Sequence, residues 1–199
     1  METQQSQNSS QNAAVTAALA SNSEIPVGVS VVYAMHGRCT VLAVESRELA
    51  GQTQRFYKLE IQKSPLARSS RQEPAIWVPV TTAKNRGIRA PMDQGDVDRA
   101  FEILATREYY LPLNEAWNIS QNKIETLVRN EGSVGVAKAL SFLFVLKKKQ
   151  VVPYPEVNRI NETIQKQFSK EVAELTGETM KAVDERITRA MRHKLLADT

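Results

Sequence analysis

The sequence predicts an α+β protein of two domains, a small SH3/Tudor-like β-barrel followed by an all-α bundle of about five helices. Three observations predict it. Across residues 27–80, β-branched and aromatic residues alternate in short runs divided by turn residues. From Asp93 onward, apolar residues recur at i, i+3, i+4 and i+7. The strand-like and helix-like textures follow one another without mixing, and 199 residues accommodate two small cores.

Residues 1–24 are mostly Gln, Ser, Asn, Thr and Ala, with few large apolar side chains to offset the entropy of ordering. They are expected to be a disordered tail, and a short helix over residues 13–20 is marginal without a partner. The barrel is expected over residues 25–90. Its apolar runs are Val29, Val31 and Tyr33; Val41, Ala43 and Val44; Phe56, Tyr57, Leu59 and Ile61; and Ile76, Trp77, Val78 and Val80. Turn signals fall at Gly37, at Ala50-Gly51, and across residues 63–74, where Pro65 and Pro74 interrupt any ladder. About five strands in so short a segment favour a closed or half-closed barrel, because closure removes exposed edges.

The helical domain is expected over residues 91–199. Val97, Ala100, Phe101 and Leu104 mark a first helix that Asp93 or Asp96 can cap. Tyr109 to Pro112 break it, and Asn114 can cap a second helix carrying Trp117, Ile124, Leu127 and Val128 as far as Gly132. A third runs from Ser133 to Lys147, Lys148 and Lys149, cations that suit a helix C-terminus. Two more span residues 156–175 and 178–196, divided at Thr176-Gly177.

Charge is unevenly spread. The net charge is +4; the first 24 residues hold two acids and no base, residues 25–92 hold ten Lys or Arg against four acids, and the remainder is balanced at sixteen each. A basic barrel fits a nucleic-acid face or an acidic protein partner. Arg38, Arg47, Arg55, Lys58, Arg86 and Arg89 are its candidates for one face. No apolar run approaches the roughly 18 to 20 residues of a membrane span, and no secretory leader is visible, so a cytoplasmic protein is expected.

Catalytic chemistry has little to stand on. No phosphate-binding glycine loop and no H-E-x-x-H pattern occurs. Cys39 is the sole cysteine, and His36 and His193 fall in different predicted domains, so neither a metal nor another cofactor is expected. His36 beside Gly37 reads as a hydrogen-bonded turn residue, and Cys39 as a small buried one. Spacing to Ile124 and Val128 puts Trp117 near the apolar stripe, which on periodicity alone favours a core residue. Its place in the first turn after the Pro112 break also lets it project past the bundle end, where a flat ring can wedge against base pairs.

The run Val27-Gly28, Val31-Val32-Tyr33 and His36-Gly37, followed by Glu45-Ser46-Arg47 and Gly51, resembles the opening of the CarD and CdnL proteins. The first domain of that family also occurs in the transcription-repair coupling factor. The likeness continues through Val78-Pro79-Val80, Gly87-Ile88-Arg89, Phe101, Leu104 and Trp117, and it becomes loose after Gly132. It implies a Tudor-like domain that docks on the β subunit of bacterial RNA polymerase by pairing a strand edge, with a helical domain aimed at promoter DNA at the upstream fork of the bubble. Arg47, Leu49, Trp77 and Arg89 are then the expected polymerase-binding residues. Trp77 stands where relatives are often basic, so apolar or cation-π contact is expected in place of a salt bridge.

Trp117 matches the family's wedge tryptophan. Relatives follow it with basic residues; here Asn118, Ile119, Ser120, Gln121 and Asn122 stand instead, leaving Lys123 and Arg129 as the nearest DNA-binding candidates and implying weak phosphate anchoring. Ala34 stands where proline is usual. The resulting expectation is a non-enzymatic regulator, monomeric when bound and located at the nucleoid through polymerase, that stabilises open promoter complexes with little reading of base sequence. A polymerase-bound adaptor without DNA contact, and a stand-alone nucleic-acid binder, are the alternatives.

Overall fold

The computed structural model describes residues 2–49, 51–62, 75–106, 108, 110–149 and 154–192. Two compact units divide the chain at Pro91 and Met92.

Unit 1 is a five-stranded antiparallel sheet with strand order β4-β3-β2-β1-β5. Its strands are β1 (Ser30–Tyr33), β2 (Gly37–Leu49), β3 (Gln52–Ile61), β4 (Ile76–Pro79) and β5 (Ile88–Arg89). Val31, Cys39, Val41, Tyr57, Leu59, Val78 and Ile88 point to one side and form the core. The period-2 alternation of the sequence thus becomes an inner and an outer face. A buried Tyr57 ties the entry segment down: its hydroxyl accepts the Ile25 N–H at 2.9 Å. The turn residues 63–74 lie outside the described residues.

Where composition leads one to expect a disordered tail over residues 1–24, the structure has a helix, α1 (Glu2–Ser21). Val15 and Ala18, three residues apart, share one helix face and are buried in the barrel core, with Leu19 half-buried beside them. The Asn12 side-chain amide also donates to the Pro91 carbonyl at 3.2 Å. Composition misleads here because a helix with few apolar residues still forms when a preformed apolar surface supplies its partner and offsets the nucleation cost.

Unit 2 is helical, comprising α2 (Gln94–Ala105), α3 (Trp117–Lys149), α4 (Tyr154–Thr176) and α5 (Met180–Met191). Gly132, at φ 58 and ψ −128, kinks α3 into two arms, so the described residues of unit 2 hold five α-helical segments. Only a residue lacking a Cβ adopts that conformation cheaply. The turn brings Gly135 so close to the Leu127 carbonyl that a Cβ there would collide with it. Beyond the kink, Ala139, Leu140, Phe142 and Leu143 are fully buried, which makes the second arm the centre of the bundle. Around it lie the buried stripes Val97, Ala100 and Leu104 of α2, Val157, Ile164, Phe168 and Val172 of α4, and Val183, Ile187 and Met191 of α5.

Asp93 caps α2 as expected: its carboxylate accepts the Asp96 N–H at 2.8 Å, and the Asp96 carboxylate accepts the Asp93 N–H in return. Asn114 does not cap the next helix. The first turn of α3 closes on Ala116, whose carbonyl accepts from Ile119 and Ser120, so the helix opens on Trp117 itself. Likewise α5 starts later than residue 178, because the Thr179 hydroxyl accepts the Ala182 N–H and sets the boundary.

Two outcomes test these points. Val15→Asp is expected to release α1, lowering the stability of unit 1 by about 2–3 kcal/mol, the value of burying one such side chain. Limited proteolysis would then cut within residues 2–21 while the sheet persists; unchanged protection would contradict the docking. Burial pushes the Cys39 thiol from its ordinary 9.0 to about 11. A raised acid pKa keeps the folded state protonated longer, so its stabilising contribution is full below about pH 9 and is lost as pH rises towards 11. Denaturant midpoints should fall more steeply across that window for the wild type than for Cys39→Ala.

Candidate functional site

Alternation along β2 runs inward at Cys39 and Val41 and would continue inward at every second residue after them. A bulge between Val41 and Ala43 interrupts it. Beyond the bulge the phase is reversed: Val44 packs against the core, while Ala43, Glu45, Arg47 and Leu49 take the outer face.

On β3 and β4 the register sets Lys58 opposite Ala43, and Trp77 opposite Lys58, so both occupy that outer face. There the Arg47 guanidinium lies over the Trp77 ring, 3.3 Å from its centroid, and the Lys58 ammonium is 5.6 Å from the same ring. A guanidinium against an indole face gains from the ring quadrupole and keeps its outward N–H groups available. Leu49, two residues on and at the tip of the hairpin, is 61% exposed. The flanks of this hairpin beyond Val41 on β2 and beyond Phe56 on β3 pair with no further strand among the described residues.

Three of the four expected docking residues are therefore gathered. Arg89 is not among them. It shares the outer face, opposite Val32, but sits on β5 at the other end of the strand order, with its guanidinium donating to the Ala90 carbonyl at 2.9 Å. Of the remaining basic candidates, Arg38 joins the outer face. Arg55 turns to the opposite side and pairs with Glu24 at 2.7 Å, and Arg86 is exposed before β5. Lys58, also among the basic candidates, is brought beside Trp77 by the β3 to β4 register. His36 stacks on Tyr33 with ring centroids 4.7 Å apart, and the Cys39 thiol is buried.

In unit 2, Trp117 is the first residue of α3 and is only half-buried. It heads the line of Ser120, Ile124 and Val128, all buried, so the ring rests on the end of the core stripe and keeps part of its surface open. Lys123 is not free: its ammonium bonds both carboxylate oxygens of Glu115, at 2.5 and 2.7 Å. Arg129 is exposed, three turns along the same arm. Ile119, in the first turn, is 46% exposed. Among the described residues no cluster of His, Cys, Asp or Glu is arranged to hold a metal ion, and no helix is long and apolar enough to cross a membrane.

Residues 26–91 match the family model of the CarD-like/TRCF RID domain. That part of the chain is similar to a domain that, in this family, interacts with the β subunit of RNA polymerase. The match ends where unit 1 ends, at Pro91.

The Arg47–Trp77 stack is open to a double-mutant cycle. Arg47→Ala, Trp77→Ala and the double variant should show a coupling of about 0.5–1 kcal/mol in denaturant unfolding, the range for an exposed cation-π pair. Strict additivity would mean that the two side chains do not hold each other.

Proposed function

We propose that this chain, through its CarD-like domain, docks on the RNA polymerase β subunit and stabilises the open promoter complex by holding Trp117 at the upstream edge of the bubble. Arg47, Trp77 and Leu49 form the main docking surface, with Arg89 contributing from the far strand. The surface combines a fixed positive charge, an aromatic ring and an exposed leucine, and the unpaired flanks of the hairpin leave backbone N–H and C=O groups for strand addition. No catalysis is required of any residue. In this reading the protein is a regulator that acts as a monomer and resides with polymerase at the nucleoid.

The DNA part of the reading rests on one observation, the half-open indole at the very start of α3. A flat apolar wedge costs unstacking energy in intact duplex but little at a fork, where stacking is already broken. It therefore binds the melted state better than the closed one, and that difference in affinity shifts the population towards melting. Phosphate contacts contribute little near the ring, because Glu115 already neutralises Lys123 and Arg129 is the nearest exposed cation on that arm.

The same Lys123–Glu115 pair favours a second reading, an adaptor bound to polymerase that never touches DNA. Footprinting on a promoter complex separates the two, since only the first predicts added protection at the upstream fork. In the leading reading, Trp117→Ala is expected to shorten open-complex lifetime about tenfold, equivalent to about 1.4 kcal/mol of differential affinity, with pull-down of polymerase unchanged. An unchanged lifetime with retained polymerase binding would remove the wedge role and leave the docking intact.

A further inference from the structure

Beside Trp117 the first arm of α3 carries a face that neither docking nor wedging uses. Asn118 and Asn122 are four residues apart, both exposed, and neither side-chain amide makes a hydrogen bond among the described residues. At i and i+4 they lie on one side of the helix, separated by about 6 Å along its axis. That spacing is close to two base-pair steps of about 3.4 Å each. Arg129 continues the line about 16 Å beyond Asn118. Between them lies Glu125, whose carboxylate accepts from the Gln121 amide at 3.2 Å.

The charge pattern makes this face unsuited to phosphates near the ring. Glu125 repels them, Lys123 is taken by Glu115, and both groups closest to Trp117 are neutral amides. Amides suit a different surface. An asparagine side chain offers two donors and one acceptor, and the minor-groove edge of a base pair offers acceptors on A·T and an additional protruding amino group on G·C.

We infer that Asn118 and Asn122 contact base edges beside the wedge and give this protein a preference for A·T over G·C in the two base pairs next to the upstream fork. The inference rests on the wedge reading of Trp117 and adds a composition preference to it, of a few fold rather than recognition of a defined site. It also accounts for exposed polar amides at positions where cations would strengthen binding to any sequence. Ile119, exposed in the same turn, adds apolar contact without altering the preference.

The test uses the full chain with polymerase on two promoters that differ only in those two base pairs. Open-complex lifetime is measured on each with and without the protein, so that the easier melting of A·T cancels in the ratio. The wild type is expected to stabilise the A·T promoter about three- to tenfold more than the G·C promoter. Asn118→Ala/Asn122→Ala should stabilise both equally. Asn118→Lys/Asn122→Lys should also lose the preference while making stabilisation steeply salt-dependent. Equal stabilisation of both promoters by the wild type, or a preference that survives the alanine pair, overturns this inference and leaves the wedge standing. Absence of stabilisation on either promoter, with polymerase bound, overturns the wedge and this inference together.

Discussion

A single inserted residue in β2 decides what the barrel can present to a partner. The side-chain period of a strand is two, so one extra residue exchanges every later position between the faces of the sheet. Without the bulge between Val41 and Ala43, Arg47 and Leu49 would point to the side occupied by Val41, and Val44 would point away from the core. With it, the distal half of the hairpin keeps Val44 inside and delivers Arg47 over Trp77. The conformation of the guanidinium is then set by the ring beneath it, which reduces the rotamer entropy lost when a partner binds.

The helical unit solves a related positioning problem by other means. Its central element is the second arm of α3, buried on nearly every side, and Gly132 and Gly135 allow the first arm to turn sharply away from it. The first arm therefore has only one committed face, along Ser120, Ile124 and Val128, and Trp117 terminates that face instead of being enclosed by it. Starting the helix on Ala116 rather than Asn114 matters here, since a start two residues earlier would bring Trp117 about half a turn further inside the arm.

Much of the fold was legible because it follows from local chemistry. The strand runs, the Asp93 capping box, the break at Gly132 and the left-handed Gly177 each leave a signature within a few residues. The features that sequence reasoning missed depend on contacts distant in the chain. Helix α1 has too few apolar residues to announce itself, and its stability comes from Val15 and Ala18 meeting a core built from residues 25–88. The pairing of Lys58 with Trp77, and the separation of Arg89 from the other expected docking residues, follow from strand order. The bulge was visible only as the adjacent apolar residues Val41 to Val44, which period alone does not interpret. Trp117 presented the hardest case, because one spacing serves equally for a core residue and for the last residue of a core stripe.

The balance of charge in the chain fits a division of labour between the units. A neutral helical unit whose nearest lysine is already paired has little affinity of its own for a polyanion. Tethering changes what is required of it. If unit 1 holds polymerase, unit 2 meets promoter DNA as an intramolecular event at an effective concentration in the millimolar range, and a contact far too weak to act alone becomes occupied. Strong phosphate binding would then be a disadvantage, since it would favour closed duplex and melted promoter alike, and a ligand that binds two states equally shifts neither. On the proposed wedge reading, a half-open indole flanked by neutral amides, with its nearest lysine neutralised, would keep most of its binding energy for the state in which the strands have parted.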